Sequence, residues 1–185
     1  MVPILNKENP ILRAIAKPVT SDMFGSAALK KVIKDMKTAL KTQDDGVAIA
    51  APQIGVSLRI FVVSGRVFEM LYPEKEDTGI MKKYPDVVFI NPEIVKLSKE
   101  QDEMEEGCLS VRYLYGKIMR SKKAKVRAQN EKVSSFEIGD SGLLAQIFQH
   151  ETDHLEGKLF IDNATDIHDV PPQKDTPEDD AEANA

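Results

Sequence analysis

The sequence has a single cysteine, no tryptophan and no long run of apolar residues. One cysteine excludes an internal disulfide, so a reducing compartment is expected. No stretch approaches the roughly 20 apolar residues that cross a bilayer, and the N-terminus lacks the charged and apolar parts of a leader peptide. These absences predict a protein of a reducing compartment such as the cytoplasm, without membrane contact, and they leave an organelle open.

The length and charge of the chain indicate one folded domain with a short acidic end. At 185 residues the chain can bury a core without disulfides, and residues 1–169 are predicted to form it. Residues 170–185 contain prolines and acids and little to bury, so we predict a disordered tail there. The net charge of -5 lies largely in this tail and argues against non-specific DNA binding.

Hydrophobic periodicity predicts one helix near the N-terminus and several strands after it. Apolar residues recur with three-four spacing across residues 26–41, which is typical of an amphipathic helix. Strands are predicted over residues 58–64, 87–90 and 94–97, with a turn at Asn91-Pro92 between the last two. Residues 65–85 are predicted to be a long charged excursion. This order of elements indicates an α+β fold rather than alternating β-α units.

A basic stretch lies in the second half of the chain. Ala124, Val126 and Ala128 alternate with basic residues there, which is the period of a strand with one solvated face. We interpret the whole cluster as a solvated face, because no aromatic pattern or nucleic-acid motif accompanies it. Contact with RNA or a ribosome is the alternative. The basic residues concerned are Lys117, Arg120, Lys122, Lys123, Lys125 and Arg127.

The most specific pattern in the chain is His-Glu-x-x-His at residues 150–154. On a helix, residues four apart lie on one face, so His150 and His154 can bind one divalent cation. Glu151 then lies beside that cation, where it can take a proton from a metal-bound water. Two of the chain's 3 histidines fall at this spacing, which favours a metal site over hydrogen-bonded core histidines.

The surroundings of this motif predict a buried helix. Asp140 or Ser141 is a candidate N-cap, and Gly157 is a candidate stop signal. We interpret Asp153 as structural. The helix carries two adjacent stripes that are apolar apart from the histidines, namely Leu143, Ile147, His150 and His154, and beside them Leu144, Phe148 and Leu155.

A catalytic metal usually has three protein ligands and a water, so a third ligand is needed. A metzincin-type protease would need a histidine where this chain has Phe160. A thermolysin-type protease would need a glutamate on a later helix, whereas Glu156 lies on the same helix and the others lie in the tail. His168 stands at the edge of the tail. The remaining candidate is Cys108, although a lone cysteine is most often a small buried residue.

Three segments, in this order, resemble the signature motifs of the peptide deformylase family. Residues 9–13 (NPILR) and 16–19 (AKPV) are also similar to that family, so the resemblance covers roughly residues 3–162. Any one motif is suggestive, and the three together are highly specific. The three segments are residues 46–55 (GVAIAAPQIG), 106–110 (EGCLS) and 149–155 (QHETDHL).

The resemblance implies removal of the formyl group from the N-terminal formylmethionine of newly made polypeptides. It also implies mostly antiparallel β-sheets packed around the metal-bearing C-terminal helix. Fe²⁺ is the expected metal, and Zn²⁺, Ni²⁺ or Co²⁺ can occupy such a site. We expect a monomer that acts on formyl-Met peptides and nascent chains.

The same resemblance assigns roles to individual residues. Cys108, His150 and His154 would bind the metal, and Glu151 would act as general base and then as general acid. An oxyanion formed at the formyl carbon would be stabilised by two neutral donors, a type of contact typically worth ~3 kcal/mol of barrier. These donors are the side chain of Gln53 and the backbone N–H of Leu109.

The methionine side chain of such a substrate needs an apolar pocket. Because an extended peptide pairs with a strand edge, the backbone around Val47 and Ala48 should also bind the substrate. Each apolar wall residue is equally explicable as plain core. The residues predicted to contact the substrate are Val47, Ala48, Met104, Glu106, Leu143 and Ile147.

Three departures from the family pattern stand out. Ala48 replaces a glycine, and its methyl group is expected to crowd the substrate backbone. Arg112 follows Val111 where the family commonly has proline. Residues 65–85 resemble an insertion that forms a flap near the cleft. None of these changes affects a proposed metal ligand or Glu151.

Three other functions compete with the deformylase hypothesis. A metallopeptidase built on the same histidines would cleave unblocked peptides and tolerate Cys108→Ala. An inactive homologue would bind formyl-Met chains without hydrolysing them, and Ala48 is the sequence feature in its favour. A thiol hydrolase built on Cys108 and a histidine would be indifferent to chelators.

Overall fold

The computed structural model describes residues 2–74 and 83–171 of the chain. Within these residues the chain forms three α-helices and eight β-strands. The helices are α1 (Ala27–Lys41), α2 (Gly65–Leu71) and α3 (Gly142–Leu155). The strands are β1 (Ala48–Ala50), β2 (Ile60–Val63), β3 (Val87–Leu97), β4 (Gln101–Gly107), β5 (Leu114–Ser121), β6 (Lys123–Gln129), β7 (Ser135–Ser141) and β8 (Thr165–Asp169).

The strands form two sheets in which every neighbouring pair is antiparallel. The larger sheet has the order β1-β2-β3-β6-β7, and the smaller has the order β4-β5-β8. The predicted α+β class, with antiparallel sheets around a C-terminal helix, is confirmed. Across the described ranges, no helix has the length and apolar character to span a membrane.

The strands β1 and β2 and the first half of β3 are buried on both faces. Since successive side chains of a strand point to opposite faces, Ile60 and Val62 pack with α1 in one apolar cluster. Phe61 and Val63 pack with α3 in another. The predicted helix over residues 26–41 is confirmed as α1, and the Ser26 hydroxyl accepts a hydrogen bond from the Leu29 N–H at 3.1 Å.

The strand β6 shows the predicted alternation. Ala124, Val126 and Ala128 are buried in the cluster that contains α3, whereas Lys123, Lys125 and Arg127 are exposed. The helix α3 therefore lies across the inner face of the larger sheet. Ser141 occupies the N-cap position of α3, but its side chain makes no capping hydrogen bond.

The chain leaves α3 through Gly157, which has a φ of +71°. A Cβ at this position would lie 2.7 Å from the carbonyl oxygen of Arg13. Only glycine allows both the left-handed conformation and this close approach. The predicted stop at Gly157 thus has a structural reason.

The predicted turn at Asn91-Pro92 is wrong, because β3 runs through both residues. Asn91 has a φ of +49°, and the pairing of β3 with β6 shifts register between Ile90 and Glu93. The Asn91 side chain accepts from the Val19 N–H and donates to the Val19 carbonyl, each at 2.8 Å. The irregularity is therefore a bulge that holds the N-terminal segment, and the sheet continues past it.

Two predicted irregular segments lie partly outside the described residues. In the predicted excursion over residues 65–85, residues 65–71 form α2, whose Val67 and Phe68 are buried. Residues 75–82 lie outside the described ranges, so the flap expected of this segment stays a prediction. The predicted tail, residues 170–185, is described only to residue 171. His168 lies in β8 with an exposed side chain.

Candidate metal centre

Three candidate ligand atoms converge beside α3. One ligand atom each from Cys108, His150 and His154 lies within 4.8 Å of the other two. The Cys108 Sγ is 3.2 Å from the His154 Nε2. The two imidazole rings lie on successive turns of α3, with their centroids 4.9 Å apart. The structure thus brings together the residues that the motifs predict as ligands.

The end of β4 places the cysteine. Cys108 directly follows Gly107, where a Cβ would lie 2.5 Å from the ring of Tyr115 on the paired strand β5. A side chain at residue 107 would therefore have to displace the Tyr115 ring just before the cysteine. The Ser110 N–H donates to the Cys108 Sγ at 3.4 Å, a contact that helps to fix the position of the sulfur.

A buried ion-pair network contacts His150 at its Nδ1 atom. Glu106 Oε2 is 2.8 Å from His150 Nδ1, and Arg120 contacts both Glu106 oxygens at 2.8 and 3.0 Å. Arg120 also donates to Asp153 Oδ2 at 2.6 Å. Glu106 and Arg120 are only 4% and 7% exposed. Because Glu106 engages Nδ1, the Nε2 atom of His150 is left for a metal.

The network fixes the charge of Glu106. Burial alone would raise the pKa of this carboxyl, but the hydrogen bonds from His150 and Arg120 outweigh it and lower the pKa to about 2. Glu106 is among the predicted substrate contacts and does line the cleft. Both of its oxygens are engaged by protein donors, so the structure gives it a role in orienting His150.

Glu151 has the opposite electrostatic character. Burial raises the pKa of its carboxyl to about 7, against the opposing effect of His150. Its Oε2 is buried and has no hydrogen-bond partner among the described residues, and the same holds for His154 Nδ1. A carboxylate with a pKa near neutrality can both take and return a proton.

These features fit a divalent metal. Buried polar atoms normally have partners, so an unpartnered Glu151 oxygen beside three convergent donors indicates a site shaped for a group that the protein itself does not supply. A thiolate with two imidazoles is a donor set for first-row transition metals such as Fe²⁺ and Zn²⁺. Cys108, His150 and His154 would hold the ion.

Gln53 reaches the same centre from the larger sheet. It lies in a short 3₁₀ helix, Ala51–Ile54, directly after β1, and it is 2% exposed. Its Oε1 accepts from the Ala50 N–H at 2.8 Å, which orients the amide. Its Nε2 donates to Ser110 Oγ at 3.2 Å and lies 3.6 Å from Cys108 Sγ.

A cleft of about 210 Å³ opens beside these groups. One side, the β1 rim, consists of residues 45–48; the other, the β4–β5 rim, consists of residues 105–109 and 111–115. The floor includes Leu143, Gln146 and Ile147 from α3. The backbone N–H of Leu109, on the β4–β5 rim, donates to no described residue.

Five of the six predicted substrate contacts line this cleft, and Met104 does not. The strand β4 reaches the cleft only with Glu105, Glu106 and Gly107, and Met104 precedes them opposite Ile118. The prediction is therefore corrected for Met104. Ala48 lines the cleft but is 5% exposed and belongs to the core cluster around α3.

The sequence patterns miss the role of Arg120. The basic pattern groups it with exposed residues, yet it is buried, so the predicted solvated face is wrong at this position. The signal lies in the strand period, because Gly116, Ile118 and Arg120 share the buried face of β5. An arginine on a glycine- and isoleucine-lined face needs a buried carboxylate partner.

The chain is similar to known proteins over nearly its whole length. The model of the family described as polypeptide deformylase matches residues 1–170. A peptide deformylase of Hahella chejuensis is 38% identical over 164 residues, which cover 89% of this chain and 87% of the relative. One from Halothermothrix orenii is 40% identical over 161 residues, which cover 86% of this chain and 90% of the relative.

Solved structures give the same picture. A class I type b peptide deformylase from Acinetobacter baumannii with Met-Ala-Ser bound is similar to this chain with a TM-score of 0.73 and 32% identity, covering 88% of this chain and 98% of that one. The peptide deformylase of Thermotoga maritima is similar with a TM-score of 0.72 and 39% identity, covering 89% and 98%.

Proposed function

The chain belongs to the polypeptide deformylase family, and we propose that four of its side chains bind the metal and transfer the proton. The protein is a metal-dependent hydrolase that removes the formyl group from the N-terminal formylmethionine of newly made polypeptides. In our proposal Cys108, His150 and His154 bind the metal, and Glu151 moves the proton.

A divalent ion at these ligands would supply a Lewis acid that acidifies a bound water and polarises the formyl carbonyl. The sulfur and two nitrogens suit several first-row ions. We propose Fe²⁺ as the resident ion, with Zn²⁺, Ni²⁺ or Co²⁺ as ions that the same ligands accept. Metal analysis after anaerobic purification tests this assignment, and protein that is active with zinc alone and carries no iron would contradict it.

Glu151 acts first as a base and then as an acid. It takes a proton from the attacking water, whose oxygen adds to the formyl carbon. When the C–N bond breaks, Glu151 returns the proton to the leaving nitrogen, so the products are formate and a free α-amine. Its pKa of about 7 before metal binding suits both steps, because proton transfer in either direction then has a low free-energy cost at neutral pH.

Gln53 and Leu109 stabilise the negative charge that develops on the formyl oxygen. The Gln53 amide is held by the Ala50 N–H through its oxygen, so its Nε2 points at the cysteine side of the site. The Leu109 N–H has no acceptor among the described residues and lies in the cleft wall. Two neutral donors fixed in this way interact more strongly with an oxyanion than with a carbonyl.

One observation carries the proposal. The three predicted ligands, which come from the end of β4 and from α3, meet next to a buried carboxylate oxygen that has no described partner. A structural histidine pair would not need the cysteine, and a structural glutamate would have its oxygens paired.

The test is formate release from a short formyl-Met peptide by anaerobically purified protein. We expect release that stops when a chelator removes the metal and that falls about 10²–10⁴-fold in Glu151→Gln. Glu156→Gln changes a carboxylate two residues after His154 that pairs with Arg59 at 2.6 Å and does not line the cleft. It is the matched control and should keep full activity.

Three outcomes would contradict the proposal. Cleavage of unblocked peptides would indicate a peptidase, and binding of a formyl-Met peptide that stays intact with metal present would indicate an inactive homologue. Activity that persists in chelator and depends on Cys108 would indicate a thiol hydrolase.

The setting of the enzyme follows from the same reasoning. We propose that residues 1–169 act as one catalytic domain and that the protein works as a monomer in the cytoplasm, where reducing conditions keep Cys108 available as a ligand. The substrates are formylated nascent chains. We propose a transient ribosome contact through the exposed lysines of β6, to be tested by salt-sensitive cosedimentation with ribosomes.

A further inference from the structure

Asp45 and Arg112 connect the two rims of the cleft. Asp45 is the first residue of the β1 rim, and Arg112 lies in the β4–β5 rim four residues after the cysteine. Arg112 Nη1 is 2.6 Å from Asp45 Oδ2, and Arg112 Nη2 is 3.1 Å from Asp45 Oδ1. The same Nη2 donates to Gln43 Oε1 at 2.8 Å. This geometry is a two-pronged guanidinium–carboxylate contact, which fixes orientation as well as distance.

The Arg112 end of this pair is anchored to the metal side. Val111, the preceding residue, is 1% exposed and packs in an apolar cluster with Leu12 and Phe160. The Val111 N–H donates to the Cys108 carbonyl at 2.9 Å, and the Leu114 N–H donates to the Val111 carbonyl at 3.0 Å. The backbone that carries Arg112 is thus tied to the backbone that carries a proposed ligand.

The Asp45 end is anchored to the other side. Arg66, in α2, donates to the carbonyl oxygens of Gln43, Asp44 and Gly46 at 2.9, 3.2 and 3.0 Å. These bonds hold the segment before β1 to its own side of the cleft. The Asp45–Arg112 pair, in contrast, bridges from one rim to the other.

The spacing of the rims matters because β1 is an edge strand. It pairs with β2 on one side, so its other edge can accept an extended peptide. Val47 and Ala48, at the start of this edge, follow Asp45 by two and three residues. A peptide bound there has to fit between β1 and the β4–β5 rim. If the distance between the two rims is larger or more variable, ordering the peptide on binding costs more entropy.

We propose that the Asp45–Arg112 ion pair sets the spacing of the two rims and thereby determines the affinity for the peptide part of the substrate. This inference rests on the proposed function. The pair is a positioning element, because neither side chain is among the groups assigned to the hydrolysis. It also gives Arg112, which stands where the family commonly has proline, a specific task in this chain.

The experiment compares kcat and KM for a formyl-Met tripeptide in the wild type, Arg112→Ala, Asp45→Asn and the exchanged double variant Asp45→Arg/Arg112→Asp. We expect KM to rise about fivefold in each single variant, the size that an ion pair of this exposure allows. Because the hydrolytic groups are untouched, kcat should stay within about twofold. The exchanged variant should reverse at least half of the increase in log KM seen in the single variants. A purely structural role of the two residues would not produce this recovery.

Arg127→Ala is the matched control. Arg127 and Glu137 form an exposed ion pair at 2.8 Å between β6 and β7, and neither lines the cleft. Its loss should leave KM unchanged. Thermal unfolding is measured for every variant, and if Arg112→Ala is partly unfolded at the assay temperature, Asp45→Asn provides the same comparison with a side chain of nearly equal shape.

The outcomes separate this inference from the proposed function. If the metal-loaded wild type releases no formate, the proposed function fails. If the wild type is active and both single variants keep KM within about twofold, or if the loss lies in kcat alone, the positioning role is overturned. A fivefold rise in KM that the exchanged variant reverses supports it.

Discussion

Two of the arginine–carboxylate pairs near the cleft differ mainly in how far water reaches them. The Arg120–Glu106 pair is almost fully buried behind His150, whereas the Arg112–Asp45 pair lies at the cleft rim with side chains 30% and 53% exposed. In a dry environment an unpaired charge is very costly, so the inner pair can enforce one arrangement of a proposed metal ligand. In a wet environment the outer pair contributes little to stability and can be specialised for the substrate.

Removing Glu106 should have the largest effect in this comparison. Glu106→Ala leaves the Arg120 guanidinium buried with Asp153 alone, so we expect the free energy of unfolding to fall by about 3–5 kcal/mol. Denaturant titration measures this loss. Glu103→Ala is the control on the same strand, because Glu103 is 52% exposed and pairs with Lys117 at 3.4 Å. Equal effects of the two substitutions would show that burial does not distinguish the inner pair.

A milder change separates the support of the metal site from the stability of the fold. Glu106→Gln keeps a similar shape but removes the charge that faces His150 and Arg120. We expect the affinity for the metal to fall about 10–100-fold, the usual effect of losing the carboxylate behind a ligating histidine. Competition with a chromophoric chelator measures the affinity directly. A variant that keeps the wild-type affinity would show that the carboxylate does not support the ligand.

The outer pair should contribute little to stability. For Arg112→Ala we expect the free energy of unfolding to change by at most about 1 kcal/mol, because solvent screens this partly exposed contact. Denaturant titration under the conditions used for Glu106→Ala gives the comparison. A loss as large as that of the buried pair would mean that Arg112 supports the fold as a whole.

The smallest expected effect is the response to salt. Raising the salt concentration to about 1 M shortens the Debye length to about 3 Å and should remove most of the difference in KM between wild type and Arg112→Ala. The metal affinity difference caused by Glu106→Gln should persist, because mobile ions do not enter the buried network. Equal salt sensitivity of both differences would remove the distinction between the two pairs.

The features that sequence could predict are those with a local pattern. The helix over residues 26–41 and the alternation of β6 follow from short periods of apolar residues. The ligand pair His150 and His154 follows from one turn of helix. The family motifs then indicate Cys108, which periodicity alone leaves as one candidate among several.

The features that sequence missed depend on contacts between distant residues. The turn expected at Asn91-Pro92 is overridden because β3 pairs with β2 and β6 and because Asn91 bonds to Val19, which is 72 residues away. The sequence pattern groups Arg120 with exposed lysines, because its carboxylate partner Glu106 lies on the neighbouring strand and its second partner, Asp153, on α3. The Asn91 contact leaves no trace in the adjacent sequence. For Arg120 the period of β5 indicates burial but does not identify the partners.

The pairing of β4 with β5 sets Glu106 opposite Gly116 and Gly107 opposite Tyr115. Alternate residues of a strand face opposite sides, so sliding β4 by a single position would turn the carboxylate outward and carry the thiol away from the imidazoles at the same time. A shift in the register of β4 would therefore misplace both groups at once, and a chain with the wrong register would have no partly functional site.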